Sequence, residues 1–207
     1  MSSGKSHALA LPKGADFGRF DPEGLGPMTA EEFEAREQDE ENPVELIGGW
    51  VLPMPPGTFE RGEFWGDLCS VLRPVVKELG WRISQDARHR LPVPRETVVF
   101  PDIAIHMARA VKYLPGTETI GRVPDIVVEI LGKKSHERDM APLGVKFLAY
   151  QASGVKEYYY TWPDGREASG FGLRRGVYVP LPRDREGFFA SALLGHRLRL
   201  VEAATKP

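Results

Sequence analysis

"VPDIVVEIL", residues 123–131, is the stretch from which the fold can be worked out. It is a nearly continuous run of apolar, mostly β-branched residues, which is typical of a strand buried on both faces in the middle of a sheet. Glu129 interrupts this run between apolar neighbours, and a buried carboxylate is costly unless a partner compensates its charge. The stretch therefore predicts a central strand with a functional glutamate. The alternative is a glutamate that points to solvent at the strand end.

A second Pro-Asp-Ile stretch, "VVFPDIAI" at residues 98–105, predicts a neighbouring strand. Because proline cannot donate a hydrogen bond to a sheet, Pro101 marks a bulge, an edge or a break. Asp102 follows it, and strand pairing can bring its carboxylate beside Glu129 at a strand spacing of about 5 Å. Asp125 lies about 13 Å from Glu129 along one strand, so these two cannot share an ion. We therefore expect Asp102 to act with Glu129; the alternative for Asp102 is a solvated turn residue.

Local signals predict the elements that precede these strands. Thr29 and Glu32 have the spacing of a capping box, which predicts the start of a short acidic helix. Gly48 and Gly49 separate two apolar stretches, as in a two-residue hairpin. Apolar residues recur at helical spacing over residues 59–80, which predicts a long helix.

The whole pattern predicts an α/β fold, a mixed sheet flanked by helices. Pro74 would kink or split the long helix. A further helix is predicted over residues 141–154, with strands before and after it. Residues 1–27 show no periodicity and predict a flexible arm, whereas residues 28–207 are expected to form a single domain.

Composition limits the protein class. The chain has 207 residues, 42% hydrophobic, and a net charge of −2. This charge argues against a surface coated in basic residues, although it allows a local basic groove. No apolar run is long enough for a membrane span, and no signal peptide is expected. The single cysteine, Cys69, excludes an internal disulfide and favours a reducing, cytoplasmic location.

The two carboxylates predict a cation between them. Adjacent carboxylates at Asp102 and Glu129 repel each other, and hard oxygen ligands favour Mg²⁺ or Mn²⁺. The five histidines show no paired spacing that indicates zinc. A metal that polarises a phosphodiester usually works with a second cation, and Lys146 lies on the following helix, four residues before Tyr150. The alternative for Lys146 is a surface lysine with a buried stem.

Further basic residues flank the predicted site. Lys133 and Lys134 directly follow the central strand and are rival candidates for the role of Lys146. With Arg88 and Arg90 they are also candidates for contacts to nucleic-acid phosphates. The alternative is that all four are ordinary solvated charges.

Five segments between about residue 43 and residue 200 form an ordered series: "VELIGGWVLPMPP", "VVFPDIAI", "VPDIVVEIL", "RDMAPLGVKFLAYQASGVKEYYYTWPDG" and "GFFASALLGHRLRL". The series resembles the Uma-two family of endonucleases, restriction-endonuclease-like bacterial proteins of the PD-(D/E)XK nuclease superfamily. Two departures stand out. Arg61 takes a position where the family often has histidine, and "GKKS" (132–135) replaces its usual Ser-Pro-Ser-Thr.

The resemblance implies a restriction-endonuclease-like fold with Asp102 and Glu129 as metal ligands. It implies Lys146 as the motif lysine, moved from the strand to the following helix. Glu45 matches an upstream acidic residue of the family and is implied to complete the site through a metal-bound water. Because superfamily members are often dimers, the resemblance also implies a homodimer.

We therefore expect a Mg²⁺-dependent endonuclease that acts on nucleic acid, with DNA as the favoured substrate. The near-neutral charge and the departures from the family pattern keep a second hypothesis open, a catalytically inactive module for binding or oligomerisation. A third is a metal-dependent phosphoester hydrolase for small substrates.

Overall fold

The computed structural model describes residues 27–36, 43–54, 57–132, 144–164 and 167–199. Residues 1–26 of the predicted arm and residues 141–143 of the third predicted helix lie outside this set. The elements, in chain order, are α1 (Ala30–Ala35), β1 (Val44–Ile47), β2 (Trp50–Pro53), α2 (Phe59–Glu78), β3 (Arg82–Gln85), β4 (His89–Leu91), β5 (Thr97–Val99), β6 (Ile103–His106), β7 (Ile126–Ile130), α3 (Val145–Ser153), β8 (Glu157–Thr161), β9 (Ala168–Arg174), β10 (Val177–Pro180), β11 (Phe189–Ser191) and β12 (His196–Leu198).

The central sheet has six strands in the order β10-β9-β8-β7-β6-β3. The apolar run at residues 126–130 forms β7, which pairs antiparallel with β6 and parallel with β8. Helix α3 lies in the connection between the two parallel strands, as a parallel pair requires. The prediction of a mixed sheet with this run at its centre is confirmed.

The segment around Pro101, predicted as one strand, forms two strands in different sheets. Before the proline, β5 belongs to a four-stranded sheet with the order β2-β1-β5-β4, whereas β6 belongs to the central sheet. Pro101 cannot extend a ladder, and the Phe100 amide before it donates to a Glu45 carboxylate oxygen at 2.8 Å instead of to a strand. Pro101 is therefore a break, and the described residues contain more than the single sheet that was expected.

Both faces of the central sheet are covered. Helix α2 and the β11–β12 hairpin pack on one face, where Leu72, Ile103 and Tyr159 share a cluster. Helix α3 and the four-stranded sheet cover the other face. Because of this double cover, the consecutive tyrosines of β8 are all buried, and none is placed to stack on a nucleic-acid base.

The predicted local signals are confirmed. Thr29 and Glu32 form a capping box at the start of α1, and Gly48 and Gly49 adopt positive φ angles in the β1–β2 turn. Helix α2 runs through Pro74 without being split. In the described part of the chain, no helix is long and apolar enough to cross a membrane.

The second Pro-Asp stretch has a structural task. The Asp125 carboxylate accepts hydrogen bonds from the Met107 amide and from the Lys156 ammonium, each at 2.8 Å. These bonds tie the start of β7 to the end of β6 and to the residue before β8. Asp125 therefore fixes where the strands begin, at the end of β7 away from Glu129.

Two buried histidines, His89 of β4 and His106 of β6, stack with their ring centroids 5.2 Å apart. His89 Nδ1 contacts the Ala87 carbonyl oxygen at 2.7 Å, so this nitrogen carries the proton. His89 Nε2 then accepts from His106 Nε2 at 3.1 Å. Burial lowers the pKa of both imidazoles to about 4; Arg122 further lowers that of His106, which Asp125 opposes.

This pair predicts loss of stability in mild acid. In the unfolded chain both histidines take up protons near pH 6.5, whereas in the folded protein they stay neutral until about pH 4. Stability is therefore full above the unfolded pKa and is lost as the pH falls through this window. The free energy of unfolding in urea should be lower at about pH 5 than at about pH 7, by roughly 2 kcal/mol for each imidazole. The His89→Gln/His106→Gln variant should lose most of that difference, and an unchanged difference would contradict the assignment.

Candidate active site at the end of the β6–β7 pair

Strand register places Asp102 opposite Glu129. Ile103 pairs with Val128, so the preceding residue, Asp102, meets Glu129 one step further along the same antiparallel pair. The Ile130 amide donates to Asp102 Oδ2 at 2.7 Å, which holds the carboxylate against the end of β7. The two predicted metal ligands are thus neighbours across the sheet, and both are buried.

Lys146 lies between two buried carboxylates. Its Nζ is 2.9 Å from Glu45 Oε1 and 2.9 Å from Glu129 Oε1. Its side chain is only 2% exposed, which excludes the alternative of a surface lysine. Helix α3 brings it there because the helix packs across both sheets, between β1 and β7.

Glu45 contacts the protein rather than solvent. It lies in β1 with no exposed surface, and its Oε1 accepts from both Lys146 and the Phe100 amide. It therefore fixes the ammonium and also the backbone just before Asp102. These contacts support a positioning role for Glu45; the implied contact through a metal-bound water stays a prediction.

Tyr150 adds a neutral donor one helical turn after Lys146. Its hydroxyl donates to Glu129 Oε1 at 2.7 Å, so the same oxygen accepts from Lys146 and Tyr150. Burial raises the pKa of Tyr150 well above its usual value, and the neighbouring carboxylates add to this effect. The hydroxyl therefore keeps its proton and its bond to Glu129. The i, i+4 spacing of the two residues was the sequence signal for this arrangement.

Arg61 is a member of the site that motif reasoning had noted only as a departure. It lies in the first turn of α2, and its Nη2 is 2.5 Å from Asp102 Oδ1. Its Nε donates to the Ile130 carbonyl oxygen at 3.3 Å. One turn later, the Trp65 indole donates to the Asp102 carbonyl oxygen at 2.9 Å. The start of α2 is thus fastened to the Asp102 end of the site.

Asp86 is a further carboxylate that sequence reasoning missed. Its backbone adopts a left-handed conformation with φ of 46°, which aspartate tolerates, and its amide points at the Asp102 carbonyl oxygen at 3.4 Å. Desolvation and the Asp102 charge raise its pKa, while Arg61 opposes the shift. The polar "SQDARH" loop contains no pattern that would have identified it.

The predicted phosphate contacts fall into three groups. Arg88 lies over the Phe100 ring, with its guanidinium carbon 5.5 Å from the ring centroid, next to the site backbone. Arg90 pairs with Glu31 and Glu34 of α1, so its guanidinium is occupied and we leave it out of the proposed interface. The predicted residues Lys133 and Lys134 lie outside the described residues.

The donor set suits a hard divalent cation. Asp102 and Glu129 offer carboxylates, and Mg²⁺ is often held by one or two carboxylates together with waters and substrate phosphates. Within the described ranges there is no group of three or more His, Cys, Asp or Glu side chains arranged to hold a metal. The chemistry of the Asp102 and Glu129 carboxylates fits a two-carboxylate site, and the expectation of Mg²⁺ or Mn²⁺ stays a prediction.

The model of a protein family described as "Uma2: Putative restriction endonuclease" matches residues 30–199. The chain belongs to the Uma2 family. The structure is similar to "Crystal structure of a putative nuclease belonging to DUF820 from Anabaena variabilis ATCC 29413", with a TM-score of 0.68 and 16% identity. The match covers 84% of this chain and 95% of that one. At this identity the likeness shows the fold alone. No curated protein matches the chain.

Family and fold confirm the sequence interpretation at that level. The resemblance drawn from five ordered segments is correct, and so is the restriction-endonuclease-like α/β fold. Membership of the Uma2 family supports a nuclease.

The buried charge triad predicts a large stability effect in this Uma2 protein. Lys146→Met leaves Glu45 and Glu129 facing each other without a cation, and urea unfolding should show a loss of about 3–5 kcal/mol. Lys156→Met is the matched control, because Lys156 pairs with Asp125 but its side chain is 52% exposed. It should cost under about 1 kcal/mol. Equal losses in the two variants would mean that the triad is not held as described.

Proposed function

We propose that this Uma2 protein is a divalent-metal-dependent endonuclease that hydrolyses phosphodiester bonds in DNA. The single observation that carries the proposal is the juxtaposition of Asp102 and Glu129, with the Lys146 ammonium 2.9 Å from Glu129. A carboxylate pair beside a fixed ammonium combines the two charge types that phosphoryl transfer requires.

Asp102 and Glu129 would hold Mg²⁺, which when bound neutralises the scissile phosphate and the leaving oxygen. The protein holds both carboxylates in place before any ligand arrives. Asp102 is bonded to the Ile130 amide, and Glu129 is bonded to Tyr150 and Lys146. This preorganisation lowers the cost of binding a cation there.

Lys146 would orient the attacking water and stabilise negative charge that develops on the phosphorane. Glu45 holds the Lys146 ammonium in position, because Glu45 Oε1 contacts both Lys146 and the Phe100 amide. Glu45 and Tyr150 are therefore positioning residues, which act through Lys146 and Glu129. Arg88, beside Phe100, is the described residue that we propose for a phosphate contact at the rim, with Lys133 and Lys134 as further candidates.

The activity is tested by nicking of supercoiled plasmid DNA in Mg²⁺. Asp102→Asn and Glu129→Gln should each reduce the rate by about a hundredfold or more, because each removes a carboxylate that would hold the Mg²⁺. Asp125→Asn is the matched control: it alters the other Pro-Asp-Ile stretch, which is also buried, but at the far end of β7. It should keep most of the activity once circular dichroism shows a native fold. Equal rates in all four proteins would sink the assignment.

The ion pair between Arg61 and Asp102 favours a second candidate, a nuclease fold that serves as a binding or oligomerisation module without catalysis. Calorimetry with Mn²⁺ separates the two. The endonuclease requires saturable binding that is lost in Asp102→Ala, whereas the inactive module requires neither binding nor nicking. Cleavage of RNA in place of DNA would correct the substrate and leave the chemistry intact.

Location and assembly complete the proposal. We place the protein in the cytoplasm on the strength of its single, buried cysteine, Cys69, which fits a reducing compartment. A homodimer is proposed because the nuclease superfamily that the chain resembles often forms dimers. Sedimentation equilibrium would reveal it as twice the chain mass of 23.1 kDa, and a species at the single-chain mass would rule it out.

A further inference from the structure

The Arg61 guanidinium joins two oxygens at the mouth of the site. Its Nη2 is 2.5 Å from Asp102 Oδ1, and its Nε donates to the Ile130 carbonyl oxygen at 3.3 Å. The side chain is 22% exposed, whereas Asp102 is 12% exposed, so Arg61 lies on the solvent side of the carboxylate. Arg61 is thus the more exposed partner of this ion pair.

The two oxygens are of the kind that a hard cation binds. One is a carboxylate and the other is a backbone carbonyl directly after Glu129, and both are common ligands of Mg²⁺ and Mn²⁺. A single guanidinium contacts both oxygens through two of its nitrogens, so both lie beside the same side chain. The other cation, Lys146, lies deeper, between Glu45 and Glu129, and serves the opposite half of the site.

From this geometry we infer that Arg61 is a resident counter-ion that competes with the divalent metal for Asp102. Without metal, the guanidinium offsets the repulsion between Asp102 and Glu129. Metal binding requires it to leave Asp102 Oδ1 and the Ile130 carbonyl, and its position at the start of α2 lets it turn outwards. There it can meet a phosphate of the nucleic acid, the ligand that a guanidinium fork matches. The inference rests on the proposed metal-dependent function and adds a regulatory device to that site.

The test is calorimetric titration of Mn²⁺ into the full chain and into two variants, Arg61→Ala and Arg61→Gln. Both should bind Mn²⁺ about tenfold or more tightly than the wild type, because the competing charge is gone. Arg61→Gln keeps much of the side-chain length, so a gain in both variants points to charge rather than to open space. Arg73→Ala is the control on the same helix, since Arg73 donates to the Gln85 amide oxygen at 2.6 Å and to no carboxylate in the described contacts. Its Mn²⁺ affinity should equal that of the wild type.

A second readout is thermal unfolding. Without metal, Arg61→Ala should melt below the wild type, because Asp102 then has no counter-ion at its solvent side. In saturating Mn²⁺, the melting temperature of Arg61→Ala should rise to that of the wild type or above it. These results do not depend on cleavage.

If both Arg61 variants bind Mn²⁺ no more tightly than the wild type, the inference is overturned. It is also overturned if none of the proteins binds Mn²⁺. The outcomes are distinguishable from those of the nicking assay. If the Arg61 variants bind Mn²⁺ more tightly but the wild type does not nick DNA, Arg61 is a counter-ion and the endonuclease proposal fails. If the wild type nicks DNA but the variants show no gain in Mn²⁺ affinity, the endonuclease proposal holds and the role of Arg61 as counter-ion fails.

Discussion

The salt bridges of Lys146 with Glu45 and Glu129 hold the rest of the structure in place. One ammonium contacts a carboxylate on β1 and another on β7, each at 2.9 Å, so it joins the two sheets through α3. Burial of any one of these charges alone would be costly, and burial of all three is tolerable only because they meet. The relative position of the sheets is therefore tied to the geometry of the candidate site. A change that separates the sheets would leave a buried charge without its partner.

The sequence predicted the part of the site that depends on strand geometry. Two side chains cannot meet when they lie about 13 Å apart along one strand, and this distance excluded Asp125 as the companion of Glu129. Asp102 had no such restriction, because it begins a different strand. The structure places it opposite Glu129 by register and gives Asp125 the separate task of anchoring β7. Lys146 was implied by the family resemblance as the motif lysine, and its shared helical face with Tyr150 was the supporting signal from the residues themselves.

The contributions of Arg61 and Asp86 could not be predicted in this way. Arg61 reaches Asp102 only because α2 is packed with its first turn beside the end of β7, a tertiary placement that helical periodicity does not determine. Asp86 approaches the site through a backbone bend with a positive φ, in a loop without a motif. The division of the Pro101 segment between two sheets is another feature that the sequence could not predict. A proline indicates that a ladder stops, but it does not indicate where the chain goes next.

The proposed exchange of cations rests on the contact between Arg61 and Asp102, because the guanidinium already contacts the oxygen that a metal would bind. Among the groups in direct contact, three carboxylates, Glu45, Asp102 and Glu129, stand against one ammonium and one guanidinium, those of Lys146 and Arg61. This leaves one excess negative charge, and a phosphodiester would add a second in a poorly solvated site. Replacement of the guanidinium at Asp102 by a divalent ion would bring the carboxylates to balance and free the arginine for the phosphate. Under this proposal, Arg61 would become available to a phosphate only after metal binds, because its guanidinium is paired with Asp102 until then.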